Sequence, residues 1–431
     1  MSAALPPVRV EKALGLLPEL EAVAPLRALL FSISRPDERA LWSSSGPYLT
    51  LGKRGVDADE LRRRMPQAFH LITDHLQALY RAYVDALECQ QRGDASGVVA
   101  ALLHAGRLEE SVGRLVPARA WYVVALGVAE ALQDRRPEVQ SLDALGRLSL
   151  ALGQYAEGAR HFQRALALAE AEFDPAGAIA ACAGLGDAAL AQGQWSGAHA
   201  WYARGLRLAE AAADRAAVGR LEHQLGVLAR RQGDLTAAGD HLRRARECFE
   251  PVEAADEMAR VVNSQGQLDA QLGRHTAAAA AYREALAWVQ RAPRDPGLEL
   301  AIRLNLAELH LDTRRLLEAD QELRRAEQVA IAGNLARRLA QVYVLMGRLR
   351  GAQDDETGFV FFEQAIALCA TVDRSPAIEA QVYLEYGLFR ERLGQREEAR
   401  AHLEHAREIF ASLGEAAERE RVEAVLGKMS A

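Results

Sequence analysis

Side chains that can bind an anion or a peptide backbone are concentrated in the middle of this 431-residue chain. They recur at helical spacing, and ten of them form the candidate partner-binding set: Arg220, His223, Gln224, Arg230, Arg231, Arg260, Asn263, Gln267, Asn305 and Glu308. Guanidinium and amide groups donate hydrogen bonds to acidic side chains, to a C-terminal carboxylate and to peptide carbonyls. Recognition of such a ligand is one interpretation, and a solvated polar helix surface that binds nothing is the other.

Residue patterns typical of catalysis are missing from the sequence. It contains no Walker loop, nucleophile elbow, HExxH motif or CxxC motif. One histidine pair, His402-x-x-His405, has the spacing of metal ligands on a helix. Its charged neighbours favour a plain surface position instead. We therefore expect no catalytic residues, no metal and no cofactor.

Composition and charge narrow the class of partner. The formal net charge of −7 argues against a dedicated nucleic-acid binder, which usually carries a basic surface. No apolar run reaches the ~18 residues that a membrane-spanning helix needs, and no leader-like segment opens the chain. The sequence therefore predicts a soluble, cytoplasmic, bacterial protein that binds neither nucleic acid nor membrane.

A fourteen-residue phrase repeated eight times predicts the elements that carry the candidate residues. The phrases begin at Gly113, Gly153, Gly193, Gly233, Gly273, Arg314, Gln353 and Gly394, in steps of 40, 40, 40, 40, 41, 39 and 41 residues. Each phrase places a small, a large apolar and a small residue on one helical stripe, as in Gly158, Phe162 and Ala165. A Leu-Gly pair lies seven residues before three of the phrases, at Leu145-Gly146, Leu185-Gly186 and Leu225-Gly226, with Tyr386-Gly387 as a variant. The glycines that open most phrases fit the left-handed cap that ends the first helix. Such a period predicts stacked helix–turn–helix units.

This pattern of Leu-Gly, Gly-x-aromatic and Ala-aromatic-Ala resembles the tetratricopeptide repeat over residues 97–413. The period of 40 residues is similar to the long repeats of kinesin light chains and of bacterial regulators that sense peptides or partner proteins. The resemblance implies an all-α, right-handed solenoid of eight antiparallel helix pairs. It also implies that the first helix of each pair lines a groove, with the candidate set facing a bound peptide or partner helix. Relatives often bind peptide backbone through an asparagine before the Leu-Gly pair, and only Asn305 retains it.

The ends of the chain are predicted to differ from the repeats. Residues 1–95 are expected to form a helical extension with a Ser/Gly/Pro loop at 32–59 and a degenerate repeat at 66–92. Residues 415–431 are expected to form a helix that caps the apolar face of the last repeat.

The sequence thus favours a non-catalytic scaffold or regulator that binds a protein or peptide, anchored by Arg220, Arg230, Arg231 and Arg260. A ligand with an acidic segment or a C-terminal carboxylate would suit these arginines. Two alternatives stay open: the sensor part of a peptide-responsive regulatory system, and a self-assembling structural protein that forms homo-oligomers through its N-terminal region.

Overall fold

The computed structural model describes residues 94–111, 115–252, 254–291, 295–333, 335–371, 376–413 and 416–430, with seven single positions between 78 and 92. The predicted loop at 32–59, nearly all of the N-terminal extension and most of the degenerate repeat at 66–92 lie outside these residues. The chain divides into two compact units, residues 1–228 and 229–431.

Regular structure in the described ranges is helical throughout, without a strand. The α-helices are α1 (Ala95–Ser111), α2 (Leu115–Leu132), α3 (Arg135–Ala151), α4 (Tyr155–Ala171), α5 (Pro175–Ala191), α6 (Trp195–Ala211), α7 (Arg215–Gln232), α8 (Leu235–Phe249), α9 (Ala255–Gln271), α10 (His275–Val289), α11 (Pro296–Asp312), α12 (Leu316–Ala332), α13 (Ala336–Ala352), α14 (Gly358–Thr371), α15 (Pro376–Arg392), α16 (Arg396–Leu413) and α17 (Ala416–Ser430). A short 3₁₀ turn, Glu250–Val252, follows α8. None of these helices is long and apolar enough to cross a bilayer.

The helices pack as antiparallel pairs, and the glycine of the first helix explains how. A Cβ atom on Gly146 of α3 would lie 2.6 Å from the ring of Phe162 on α4. Because real Cβ atoms do not come this close, the missing side chain is what lets the ring pack there. In the second unit Gly266 meets Tyr282 in the same way, at 2.6 Å. The glycine that recurs at this position therefore marks the contact between the two helices of a pair.

In the seven pairs from α3–α4 to α15–α16, the turn between the two helices contains one residue with a left-handed backbone. These residues are Gly153, Gly193, Gly233, Gly273, Arg314, Asp354 and Gly394. Glycine adopts this conformation without steric cost, whereas Arg314 (φ 59°) and Asp354 (φ 55°) adopt it with strain. In the seventh pair the left-handed residue is Asp354, one position after the start of the phrase at Gln353, and Phe362 and Ala365 of that phrase are buried as the stripe predicts.

The seventh pair is shortened where its second helix begins. Phe362 stands nine residues after Gln353, as Phe162 stands nine after Gly153, so one residue is missing between Asp354 and Gly358. The Asp355 carboxylate accepts hydrogen bonds there from the Thr357 backbone N–H (2.9 Å) and hydroxyl (2.7 Å). Helix α14 consequently has 14 residues, against 17 for α12 in the pair before it.

The last helix, α17, packs on α16. Val422 of α17 is fully buried in a cluster with Leu403 and Phe410 of α16. Burial of this apolar face is the main stabilising contribution that α17 makes.

Candidate binding groove

An open cavity of about 580 Å³ in the second unit brings several of the predicted site residues together. It is lined only by α9, α11, α13 and α15, the first helices of four successive pairs. The lining residues are Asn263, Gln267, Ala301, Leu304, Asn305, Glu308, Arg338, Gln341, Val344, Leu345, Arg348, Ile378, Gln381, Val382 and Glu385. We call this surface the central groove. Its apolar side chains are aliphatic and its polar side chains are mainly amides and arginines.

The amides of the central groove are only partly satisfied within the chain. The Asn305 amide donates to the Asn263 side-chain oxygen at 2.9 Å. The Gln267 oxygen accepts from Arg230 at 3.0 Å. Among the described residues, this leaves the Asn263 NH₂, the Asn305 oxygen and the Gln267 NH₂ without partners. Amide donors and acceptors of this kind match the N–H and C=O groups of an extended peptide.

Arg230 lies beside the central groove as a half-buried cation. Its two terminal nitrogens donate to the oxygens of Gln267 (3.0 Å) and Gln271 (3.5 Å), and its Nε is buried with no hydrogen-bond partner. Burial, aided by the neighbouring Arg231, lowers the pKa of the Arg230 guanidinium. No carboxylate pairs with it in the described part of the chain. A half-buried cation that is bonded only to amides can bind an anion as a further partner.

The repeat register shows that Arg230 is not there for packing. It stands three residues before the left-handed turn residue Gly233. Three other repeats place a leucine at this register: Leu150, Leu190 and Leu311. The fold thus accepts an apolar side chain here, and the arginine carries a charge that the pair itself does not use.

Other predicted site residues are engaged within the chain. Arg260 pairs with Asp295 (2.9 Å), whose second oxygen caps α11 by accepting from the Leu298 backbone N–H at 3.0 Å. Glu308 pairs with Arg348 at 3.0 Å. Arg231 is exposed. The expected uninterrupted run of donors is therefore reduced in this unit to Arg230, Arg231 and the amides.

The remaining three members of the predicted set, Arg220, His223 and Gln224, belong to the first unit. They lie on α7, with Arg220 exposed and His223 and Gln224 half-buried.

Arg348 was not among the predicted site residues, and it forms ion pairs at one end of the central groove. Its guanidinium lies 3.0 Å from Glu308, 3.5 Å from Asp312 and 3.8 Å from Glu385, and so links α13 to α11 and α15. Burial raises the pKa of the Glu385 carboxyl. The signal was present, because Arg348 directly follows the packing glycine of α13 as Arg147 follows that of α3.

The first unit has a cavity of about 750 Å³ formed by α1, α3 and α5. Its charges are mixed, and Arg147 pairs with Asp143 at 3.0 Å. Nearby, Asp187 accepts a hydrogen bond from the Tyr202 hydroxyl at 2.6 Å. Burial, reinforced by Asp143, raises the pKa of Asp187 to about 6.

The histidine pair of the last repeat is packed against tyrosines. The His402 ring stacks on Tyr386 at 4.3 Å between centroids, and His405 meets Tyr383 edge-on at 4.4 Å. Because His402 is half-buried in this stack, the expectation of a plain surface pair is wrong for it. Burial and the adjacent Arg390 lower the pKa of His402. The described residues contain no cluster of three or more metal-ligating side chains.

Antiparallel helix pairs, packing glycines opposite aromatic rings and a groove lined by first helices define an all-α repeat protein of the solenoid class. The tetratricopeptide repeat family model matches residues 218–291. Over these residues the chain is similar to tetratricopeptide repeats. No curated protein sequence shows a significant match to it.

Solved structures with a similar fold include a Rap protein, a Rap conjugation gene regulator and an aspartyl phosphate phosphatase. A Rap protein complexed with competence and sporulation factor has a TM-score of 0.50 at 11% identity, covering 94% of this chain and 99% of that one. The Rap conjugation gene regulator of plasmid pLS20, in complex with the Phr* peptide, has a TM-score of 0.49 at 15% identity, covering 84% and 96%. Aspartyl phosphate phosphatase F from Bacillus subtilis has a TM-score of 0.48 at 12% identity, covering 86% and 97%. At these identities the likeness concerns the fold alone.

Proposed function

We propose that this chain is a non-catalytic scaffold or regulator that binds an extended peptide segment, free or within a partner protein, in the central groove. The observation that carries the proposal is the line of half-satisfied amides, Asn263, Asn305 and Gln267, above an aliphatic floor. Amides with one free end bind peptide backbone, and an aliphatic floor accepts alternate side chains of an extended chain.

The dimensions of the central groove set the length of the segment. Four neighbouring helices at ~9–10 Å spacing span ~27–30 Å. An extended chain advances ~3.3 Å per residue, so the groove accommodates about eight or nine residues. A ligand much shorter than this would leave part of the floor exposed to water.

Arg230 determines the charge preference within this function. Its guanidinium lacks a carboxylate partner in the described structure and stands at a register that holds leucine in three other repeats. A carboxylate of the ligand therefore completes the site, and an acidic residue near the α9 end of the groove is preferred. The Rap protein of similar fold, solved in complex with competence and sporulation factor, supports the search for a bound factor on this fold.

The test begins with selection of peptides from a random decapeptide library, displayed with free C termini, on the purified full-length chain. A recovered peptide is synthesised and titrated calorimetrically into the wild-type chain and into the variant Asn263→Ala/Gln267→Ala/Asn305→Ala. Each amide hydrogen bond contributes about 1 kcal/mol net, so the triple variant is expected to lose about 3 kcal/mol of binding free energy. This loss corresponds to an affinity reduction of about 100-fold.

The matched control replaces two exposed glutamines of second helices, Gln321 on α12 and Gln364 on α14, by alanine. The control is expected to bind like the wild type. Equal affinities of the groove variant and the control, or a library that yields no binding peptide, would overturn the proposed function.

A further inference from the structure

The eighth helix pair contains a histidine within the contact between its two helices. His402 of α16 is half-buried, and its ring centroid lies 4.3 Å from that of Tyr386 and 5.8 Å from that of Tyr383, both on α15. Tyr386 is buried and also stacks with Phe362 of α14 at 5.0 Å. We call Tyr383, Tyr386 and His402 the histidine stack. It joins α16 to α15, which lines one end of the central groove.

The repeat register shows that the fold does not need a titratable ring at this position. His402 stands eight residues after the start of its phrase, and the other aromatic side chains at this register are Trp121, His161, Trp201, His241 and Phe361. Tryptophan and phenylalanine thus serve here without carrying a charge. Histidine keeps the flat ring and adds a group that titrates near neutral pH.

The surroundings of the His402 ring oppose a positive charge on it. In the described part of the chain its ring nitrogens have neither a hydrogen bond nor an ion pair, whereas the Nε2 of His161 at the same register lies 3.8 Å from Glu157. The charged groups that face His402 are Arg390 from α15 and, from its own helix, His405 and Glu398. Burial lowers the pKa of the His402 imidazole, and Arg390 and His405 lower it further against the opposing effect of Glu398.

Arg390 makes the second positive charge unfavourable at close range. Its guanidinium lies 4.9 Å from the centroid of the Tyr386 ring and donates to the Tyr386 hydroxyl at 2.6 Å. Its other hydrogen bond is to the amide oxygen of Gln395, and no carboxylate pairs with it among the described residues. An imidazolium at His402 would therefore meet a guanidinium on the same tyrosine ring.

The direction of the pH effect follows from this arrangement. In the unfolded chain His402 is hydrated and titrates at its ordinary pKa of about 6.5. Because the folded chain holds the pKa of His402 below that value, the unfolded or opened chain binds the proton more readily. The contact between α15 and α16 is thus fully stable above about pH 6.5 and weakens as the pH falls below it.

We propose that the histidine stack is a pH-sensitive contact, and that protonation of His402 in mild acid separates α15 from α16 and loosens one wall of the central groove. The C-terminal helix α17 loosens with them, because Val422 is buried against both helices. The loosening is a property of the chain without a ligand. Only its effect on peptide binding rests on the proposed function.

Hydrogen–deuterium exchange followed by mass spectrometry tests this on the full-length chain in the absence of peptide. Protection factors, which correct for the intrinsic pH dependence of exchange, are compared at about pH 7.5 and about pH 5.5, on either side of the histidine titration. In the wild type the protection of α15, α16 and α17 is expected to fall about three- to tenfold at the lower pH, since one pKa unit corresponds to tenfold in the opening equilibrium.

Three variants separate the proton of His402 from its ring and from its neighbours. His402→Phe keeps the stacked ring without the proton and is expected to hold its protection at both pH values. His402→Gln removes ring and proton together and is expected to lower protection equally at both. His405→Gln, the control, removes an exposed histidine of the same helix and is expected to respond to pH like the wild type.

A wild-type chain whose protection does not fall in acid, or an equal fall in the wild type and in His402→Phe, would overturn the proposal. Because no peptide is present, either outcome leaves the proposed function standing. Conversely, a groove triple variant that binds peptide like the wild type would refute the proposed function and leave the histidine stack unaffected.

Discussion

Replacing Arg230 by leucine is predicted to stabilise the fold and to weaken ligand binding at the same time. The guanidinium is half-buried, bonds only to Gln267 and Gln271, and keeps a buried Nε without a partner. An unsatisfied buried polar group costs about 1–3 kcal/mol. Because leucine is native at this register at Leu150, Leu190 and Leu311, we expect the free energy of unfolding to rise by about 1–2 kcal/mol.

The loss of affinity follows from the same geometry. A hydrogen bond to a charged group contributes about 1.5–3 kcal/mol, which corresponds to about 10- to 150-fold in the dissociation constant. The expected loss applies to a peptide with an acidic residue and disappears when that residue is changed to its amide. A peptide that never had the acidic residue should bind both chains alike.

Two assays test the pair of effects. Urea unfolding followed by far-UV circular dichroism reports on the stability of the helical repeats. Calorimetry with the acidic peptide and its amide counterpart reports on binding. Arg283→Leu is the matched control, since Arg283 of α10 is exposed and does not line the central groove. A lower unfolding free energy for Arg230→Leu together with an unchanged affinity would refute the reasoning.

Two further predictions concern the first unit. Burial raises the pKa of Asp187 to about 6, above its unfolded value, so its ionisation opposes folding and stability falls as pH rises from about 4 to 6. Asp187→Asn keeps an acceptor for Tyr202 and should raise the unfolding free energy by about 2 kcal/mol at pH 7.5 but little at pH 4; urea titrations at both pH values check this, and an equal effect at both would contradict it. Gly186→Ala places a Cβ 2.2 Å from the Tyr202 ring and should cost about 1–3 kcal/mol. Gly127→Ala, with nothing within 4 Å of the new Cβ, should gain about 0.5–1 kcal/mol. Thermal unfolding midpoints that move in the same direction for both glycines would refute this account of the pair packing.

The repeat itself made the fold predictable from the sequence. A stripe of small, large and small residues after a glycine-ended turn packs well only as a pair of antiparallel helices. The contact between Gly146 and Phe162 explains why the pattern recurs, because a side chain at position 146 would collide with the ring. In the seventh pair the left-handed residue, Asp354, lies one position after the start of the phrase, where a residue is missing. A missing residue shifts the period on both sides, so spacing alone does not locate it.

The candidate residues were less predictable than the helices that carry them. Helical spacing identified Arg230, Asn263 and Asn305, but it did not show that Arg260 is neutralised by the capping residue Asp295. Partners of that kind come from neighbouring pairs, about 35–40 residues away, and depend on side-chain geometry. Comparison of one register across the repeats is more informative, since Arg230 stands where Leu150, Leu190 and Leu311 stand in three other repeats.

Photo-crosslinking tests the central claim most directly. A library-selected peptide carrying a photoreactive residue at each position in turn is irradiated with the full-length chain, and the modified residues are identified by mass spectrometry. The account predicts cross-links on α9, α11, α13 and α15 that progress along the central groove from one end of the peptide to the other. Cross-links confined to the second helices, or to residues 94–228, would contradict it.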